Sequence, residues 1–195
     1  MRGAVMRAAV FLDRDGVINE DVFYPATGEW EAPMRPEDVA LRPGATEGLA
    51  RLKALGYALI LVSNQGAYAK GKAPLAALWQ VHLRLVALLG AHDLAFDDCF
   101  YSYAHPDGSV PHVSGASLER KPSPYFLLVA AARHDIDLAR SWMIGDRDSD
   151  IACGRAAGTR TIFVRNPHAQ GQSGAGADAA ADGLREAAKI VSDWP

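Results

Sequence analysis

The chain is short of cysteine, has no block of basic residues, and contains no apolar run of membrane-spanning length. Each scarcity narrows the possible functions. The two cysteines, Cys99 and Cys153, stand far apart and in no metal-type spacing, so each reads as a buried reduced thiol. A net charge of −3 without a basic stripe argues against nucleic acid as the main partner. Without a spanning segment, no membrane partner is expected. Residues 1–12 are too short for a signal peptide and run into Asp13-Arg14-Asp15 instead of a small-residue cleavage site, so the expectation is cytoplasmic. No internal repeat is visible. The 195 residues suffice for one domain with a sizeable core, spanning 1–195, and the composition is ordinarily globular.

The most informative stretch is 8–19, where an apolar run stops at two aspartates spaced i, i+2. Residues 8–12 read as a buried strand in a parallel sheet, which delivers Asp13 to the edge where open α/β sheets place their ligands. Asp13 and Asp15 then face one site, and Gly16 lets the chain turn. One carboxylate can attack phosphorus and the other can manage a proton. Two such close anions call for a divalent cation between them. The alternative is a strand end closed by a polar turn.

Strand and helix patterns alternate further along. Helices are expected over 45–55, 74–89, 125–134, 148–157 and 183–191, and strands over 57–62, 96–103, 141–144 and 159–164. Leu78, Val81, Leu85 and Leu88 form the apolar face of the second helix. Such alternation predicts an α/β fold: a Rossmann-like parallel sheet with helices on both faces. The glycine-rich stretch 169–177 reads as a mobile loop. Segments 20–42 and 102–121 exceed ordinary loop length and are the candidate walls of a substrate site. A minimal cap, or none, follows from the space available, and a monomer is the expectation.

Further strand ends carry chemistry. Ser63-Asn64-Gln65 closes the second strand with a hydroxyl and N–H groups that can bind phosphate oxygens, or simply cap a turn. Lys121 precedes a helix, where its charge opposes the helix dipole, so it suits a phosphate or plain solvent. Gly145-Asp146-Arg147-Asp148-Ser149-Asp150 closes another strand; Asp146 can ligate a metal, and Asp148 or Asp150 can simply cap the next helix, the reading preferred for Asp148.

Together, Asp13-Arg14-Asp15-Gly16-Val17-Ile18-Asn19, Ser63-Asn64-Gln65, Arg120-Lys121-Pro122 and Gly145-Asp146…Asp150 resemble, in order, the four motifs of the haloacid dehalogenase (HAD) superfamily. Arg42-Pro43-Gly44-Ala45, Ala69-Lys70-Gly71-Lys72 and Ala157-Gly158-Thr159-Arg160-Thr161 fit its branch of heptose bisphosphate phosphatases and histidinol-phosphatases, and the resemblance spans 8–192. It implies a magnesium-dependent phosphatase acting on a small phosphorylated metabolite. Asp13 is then the nucleophile, and Asp15 the acid and base. Ser63 and Lys121 hold phosphoryl oxygens. Asp13, the Asp15 carbonyl and Asp146 hold Mg2+, with Asp150 in support. Asp21, Tyr24, Asn64, Gln65, Arg120 and Arg147 contact substrate. Arginine at 147 suits a second phosphate.

Members with a zinc loop carry Cys-x-His and Cys-x-Cys before the Arg-Lys-Pro motif. Those positions are Ser102, Ala104, Ser117 and Glu119 here, so no structural zinc is expected. His105 and His112 read as polar loop residues, and His82, His92, His134 and His168 show no ligand spacing. The leading substrate is D-glycero-D-manno-heptose 1,7-bisphosphate, followed by histidinol phosphate. A phosphate-binding protein without turnover has no need of Asp15, and a phosphatase of nucleic-acid ends is disfavoured by the acidic balance.

Overall fold

The computed structural model describes residues 6–195. Its centre is a six-stranded, all-parallel sheet. In chain order the strands and helices are β1 (Ala9–Leu12), β2 (Val22–Tyr24), β3 (Glu29–Glu31), α1 (Ala45–Ala54), β4 (Ala58–Asn64), α2 (Leu75–Gly90), β5 (Asp98–Ser102), α3 (Tyr125–His134), β6 (Trp142–Gly145), α4 (Asp148–Ala157), β7 (Arg160–Val164), β8 (Ala179–Ala181) and α5 (Leu184–Asp193). The sheet order is β5-β4-β1-β6-β7-β8, while β2 and β3 form a separate antiparallel hairpin. This order reverses between β1 and β6, the crevice where doubly wound sheets hold ligands.

The sheet is buried on both sides because its strands alternate between two apolar clusters. Val10, Leu12, Leu59, Leu61, Trp142 and Ile144 pack with the helical residues Leu49, Leu52, Leu85 and Leu184. Ala9, Phe11, Ile60, Val62 and Met143 point the other way, to Leu127 and Ala130 of α3 and Cys153 of α4. Fully apolar strands are therefore required, as the runs at 8–12 and 57–62 indicate.

Several expectations are corrected. The face of α2 closes with Leu89 rather than Leu88, which is half-buried. Cys153 is buried, but Cys99 is half-buried because β5 is an edge strand. The hairpin β2–β3 and the edge strand β8 were not legible: three-residue strands carry too little pattern. The stretch 169–177 is tied down, since Ser173 and Gly174 donate backbone N–H groups to Asp148 (3.1 and 2.7 Å). Asp148 thus does not cap α4. Asp150 does, accepting from the Arg147 N–H at 3.0 Å.

Among the described residues, no helix is long and apolar enough to cross a membrane. The two sides of α2 give a direct test. Leu85→Ala, in the core, is expected to cost about 2–5 kcal/mol, and Leu83→Ala, on the exposed side, about 0.5 kcal/mol or less. Urea unfolding of both variants checks this, and equal losses would contradict the packing of α2.

Candidate active site

The carboxyl ends of β4, β1 and β6 lie side by side and bring three motifs to one place. Asp13 follows β1, and its backbone N–H donates to Ile144 O (2.9 Å), which continues the ladder to β6 and places Asp13 beside Asp146. Gly16 follows with φ +75°. A Cβ there would lie 2.2 Å from Asp146 Oδ2 and 2.3 Å from Asn166 Nδ2, so only glycine fits this turn. Gly145 is equally constrained, with a Cβ meeting the Asp150 side chain at 2.2 Å.

Lys121 is the cationic centre. Its Nζ lies 2.9 Å from Asp13 Oδ1 and 2.7 Å from Asp150 Oδ1, and it donates to Val62 O at 2.8 Å. Burial opposes the ammonium charge, but Asp13 and Asp150 outweigh it, and the pKa is raised. Asn64 fixes the backbone of Lys121 from both sides: its Nδ2 donates to Lys121 O and its Oδ1 accepts from Lys121 N, each 3.1 Å.

Asp15 points into a different set of donors. Arg14 Nε (2.9 Å), Asn19 Nδ2 (2.9 Å) and Gln65 Nε2 (2.6 Å) all donate to its carboxylate. Gln65 also donates to Ser63 Oγ (2.9 Å) and accepts from Arg14 Nη2 (2.8 Å). Its amide is thereby fully committed to the protein.

Asp13, Asp146 and Asp150 each offer an oxygen within 4.8 Å of the others, all from buried side chains. Burial raises Asp146 to about 8, with Asp13 and Asp150 adding to the shift. Burial likewise raises Asp150 to about 6 against the pull of Lys121. Asp146 Oδ1 is buried with no hydrogen-bond partner among the described residues. An orphaned oxygen in an oxygen-only, over-charged cluster fits a hard divalent cation such as Mg2+. The zinc-loop positions do not fit a metal: Ser102, Ala104, Ser117 and exposed Glu119 present one carboxylate among them. That loop is held by hydrogen bonds to main-chain carbonyls instead. Ser109 and Val110 donate to Ala69 O (2.7 and 3.0 Å), and Arg120 Nη1 donates to Ala104 O (2.9 Å).

A cavity of about 470 Å³ opens above these groups. Of the expected site residues, Asp13, Asp15, Asn64, Arg120, Lys121, Arg147 and Asp150 line it. Asp146, Ser63, Gln65 and Asp21 are buried outside the lining. Tyr24 is also outside it: its hydroxyl accepts from Met34 N and donates to Asp38 Oδ2, both 2.8 Å, and so braces segment 20–42. The hairpin contributes Glu29, Trp30 and Glu31 to the wall. Trp30 stacks on His168 with ring centroids 3.6 Å apart, and Lys72 pairs with Glu29 and Glu31.

Sequence reasoning missed Lys70 and His105, which line the cavity from long loops, and Asn166, which follows β7. The strand-end rule that located Asp13 and Asp146 also locates Asn166. Lys70 lies in the Ala69-Lys70-Gly71-Lys72 stretch that fits the branch, but neither it nor His105 follows directly on a strand of the sheet edge that the rule reads.

Comparison with known proteins follows the same lines. A HAD-hydrolase-like family model matches residues 118–187, the stretch holding Lys121, Asp146 and Asp150. A D-glycero-D-manno-heptose-1,7-bisphosphate 7-phosphatase of Thermosynechococcus vestitus is 38% identical over 163 residues, 82% of this chain and 79% of that protein. One of Chlorobaculum tepidum is 34% identical over 164 residues, with 82% and 79% covered. The solved D,D-heptose 1,7-bisphosphate phosphatase of B. bronchiseptica, complexed with magnesium and phosphate, superposes with TM-score 0.78 at 25% identity over 96% of this chain and 99% of that one.

The carboxylate cluster makes stability depend on pH in the metal-free protein. Asp146 and Asp150 keep protons in the folded state that the unfolded chain releases near pH 4. These two groups bind more protons in the folded state, so their contribution to stability falls as pH rises from about 4 to 8 and levels off above. Urea midpoints under chelator are expected to be lower at about pH 8 than at about pH 5.5, with a smaller difference in Asp146→Asn. A midpoint that rises with pH to the same extent in both proteins would contradict this electrostatic account.

Proposed function

The chain belongs to the haloacid dehalogenase-like phosphatases, the family of the D-glycero-D-manno-heptose-1,7-bisphosphate 7-phosphatases, and on that basis we propose that it hydrolyses a phosphomonoester of a small metabolite through an aspartyl-phosphate on Asp13. D-glycero-D-manno-heptose 1,7-bisphosphate is the substrate we assign first. The observation that carries the reading is the division of labour between two carboxylates. Asp13 lies against the buried Lys121 ammonium, while Asp15 lines the same cavity but is held apart by three donors. A site that only bound phosphate would not need the second.

In this reading the Asp13 carboxylate attacks phosphorus, and the bond from phosphorus to the leaving oxygen breaks. Asp15 gives that oxygen its proton. Asp15 then takes a proton from water, whose oxygen attacks phosphorus, releasing phosphate and restoring Asp13. Arg14, Asn19 and Gln65 aim the Asp15 carboxylate for both transfers. Lys121 holds the phosphoryl oxygens, and Ser63 orients Gln65. Asp13, Asp146 and the Asp15 carbonyl, with Asp150 in support, would hold a magnesium ion, which would neutralise charge on the phosphoryl oxygens.

The cavity favours a substrate with a second anionic group. Lys70, Arg120 and Arg147 all line it, and among the described residues none has a carboxylate oxygen within 4.0 Å. Burial lowers the pKa of Arg120, and the neighbouring charge of Arg147 lowers it further. An anion between these guanidiniums relieves both effects. A bisphosphate meets this demand with its second phosphate.

Phosphate release with Mg2+ from both anomers of the heptose bisphosphate, histidinol phosphate and an aryl phosphate tests the assignment. Asp13→Asn is expected to lose at least about a thousandfold in rate on every substrate. Arg147→Ala is expected to raise KM for the bisphosphate about tenfold or more and to leave the aryl phosphate little changed. Release from the aryl phosphate alone would remove the heptose assignment, and undiminished release in Asp13→Asn would remove the mechanism.

A further inference from the structure

Asn166 lies just after β7 at the carboxyl edge of the sheet, and the reaction outlined above gives it no part. Its amide is nevertheless placed with unusual economy. The two hydrogens of Nδ2 serve two buried carboxylates, donating to Asp146 Oδ2 and to Asp21 Oδ2 at 2.7 Å each. Its Oδ1 accepts from the His168 backbone N–H at 3.0 Å, which fixes the amide the right way round. The same Nδ2 sits against Gly16, whose missing Cβ leaves room for the contact. Asp146 thereby has one oxygen engaged by Asn166, while the other, Oδ1, is buried and unpartnered.

We propose that Asn166 is the positioning residue for the metal site: it holds Asp146 by Oδ2, leaves Oδ1 as the oxygen that ligates Mg2+, and couples this carboxylate to Asp21. The proposal rests on reading Asp146 as a metal ligand. A carboxylate on a single χ2 axis can present either oxygen, and a donor fixed on one of them removes that freedom before the metal arrives. The donor also stands between the two carboxylates and gives one hydrogen to each. Without Asn166, Asp146 and Asp21 lose their shared donor, and Asp146 is free to turn away from Asp13 and Asp150. His168, which orients Asn166 through its backbone, also stacks its ring on Trp30 of the hairpin. Only the backbone part of that contact belongs to the proposal, and this separates the two roles of the segment.

The test is Mg2+ binding measured by calorimetry without substrate, on the parent protein, Asp146→Asn, Asn166→Ala and His168→Ala, each checked for folding by thermal unfolding. Asn166→Ala is expected to bind Mg2+ about tenfold to a hundredfold more weakly, and saturating Mg2+ is expected to restore most of kcat. His168→Ala keeps the backbone donor and is expected to bind Mg2+ like the parent. Asn166→Leu keeps the volume without the donor and carries the same expectation should the alanine variant fail to fold. Parent-like Mg2+ affinity in a folded Asn166 variant, with binding lost in Asp146→Asn, would overturn the role of Asn166 alone. Parent-like affinity in Asp146→Asn would overturn the metal reading and the proposal with it.

Discussion

One buried ammonium organises the site. Lys121 reaches from the segment before α3 to the ends of two central strands, meeting Asp13 after β1 and Asp150 in α4. A lysine this deeply buried is tolerable only because its partners are charged and close, and the carboxylates are tolerable only because of the lysine. Much else follows from keeping that contact in register. Asn64 clamps the Lys121 backbone to the end of β4. Asp150 is held at the first turn of α4 by the Arg147 N–H. Gly145 is bare because its Cβ would displace Asp150.

The compensation is incomplete by design. One ammonium faces the three carboxylates Asp13, Asp146 and Asp150, and the surplus falls on Asp146, the member with no basic partner within salt-bridge distance among the described residues. A divalent cation, as proposed above, would neutralise that surplus. Asp15 escapes the cluster because its carboxylate is enclosed by Arg14, Asn19 and Gln65. Two aspartates separated by one residue thus reach different environments, which suits the two roles proposed for them.

The walls of the cavity are built by less regular means. Segment 20–42 folds into a small hairpin braced internally by Tyr24 and Asp38, and pinned externally by Trp30 on His168 and by Lys72 on Glu29 and Glu31. Segment 102–121 docks on Ala69 through main-chain hydrogen bonds. Both segments bring charged groups over a rigid sheet edge, the arrangement by which one fold accepts different substrates.

The sheet, the helices and the strand-end aspartates were legible because their signals are local. Apolar runs of strand length, helical spacing of leucines and turn glycines depend on near neighbours, and strands buried on both faces must be apolar throughout. The ends of those strands must lie at one edge, so the sequence alone groups Asp13, Ser63 and Asp146. What the tertiary structure decided was which atom meets which. Asn64 and Gln65 turn to Lys121 and Asp15, Tyr24 turns to its own segment, and Asn166 joins Asp21 to Asp146 across 145 and 20 positions of chain. Such contacts are set by the packing of distant segments and by the sharing of donors among buried anions. No periodicity encodes either, so they could be read only from the folded molecule.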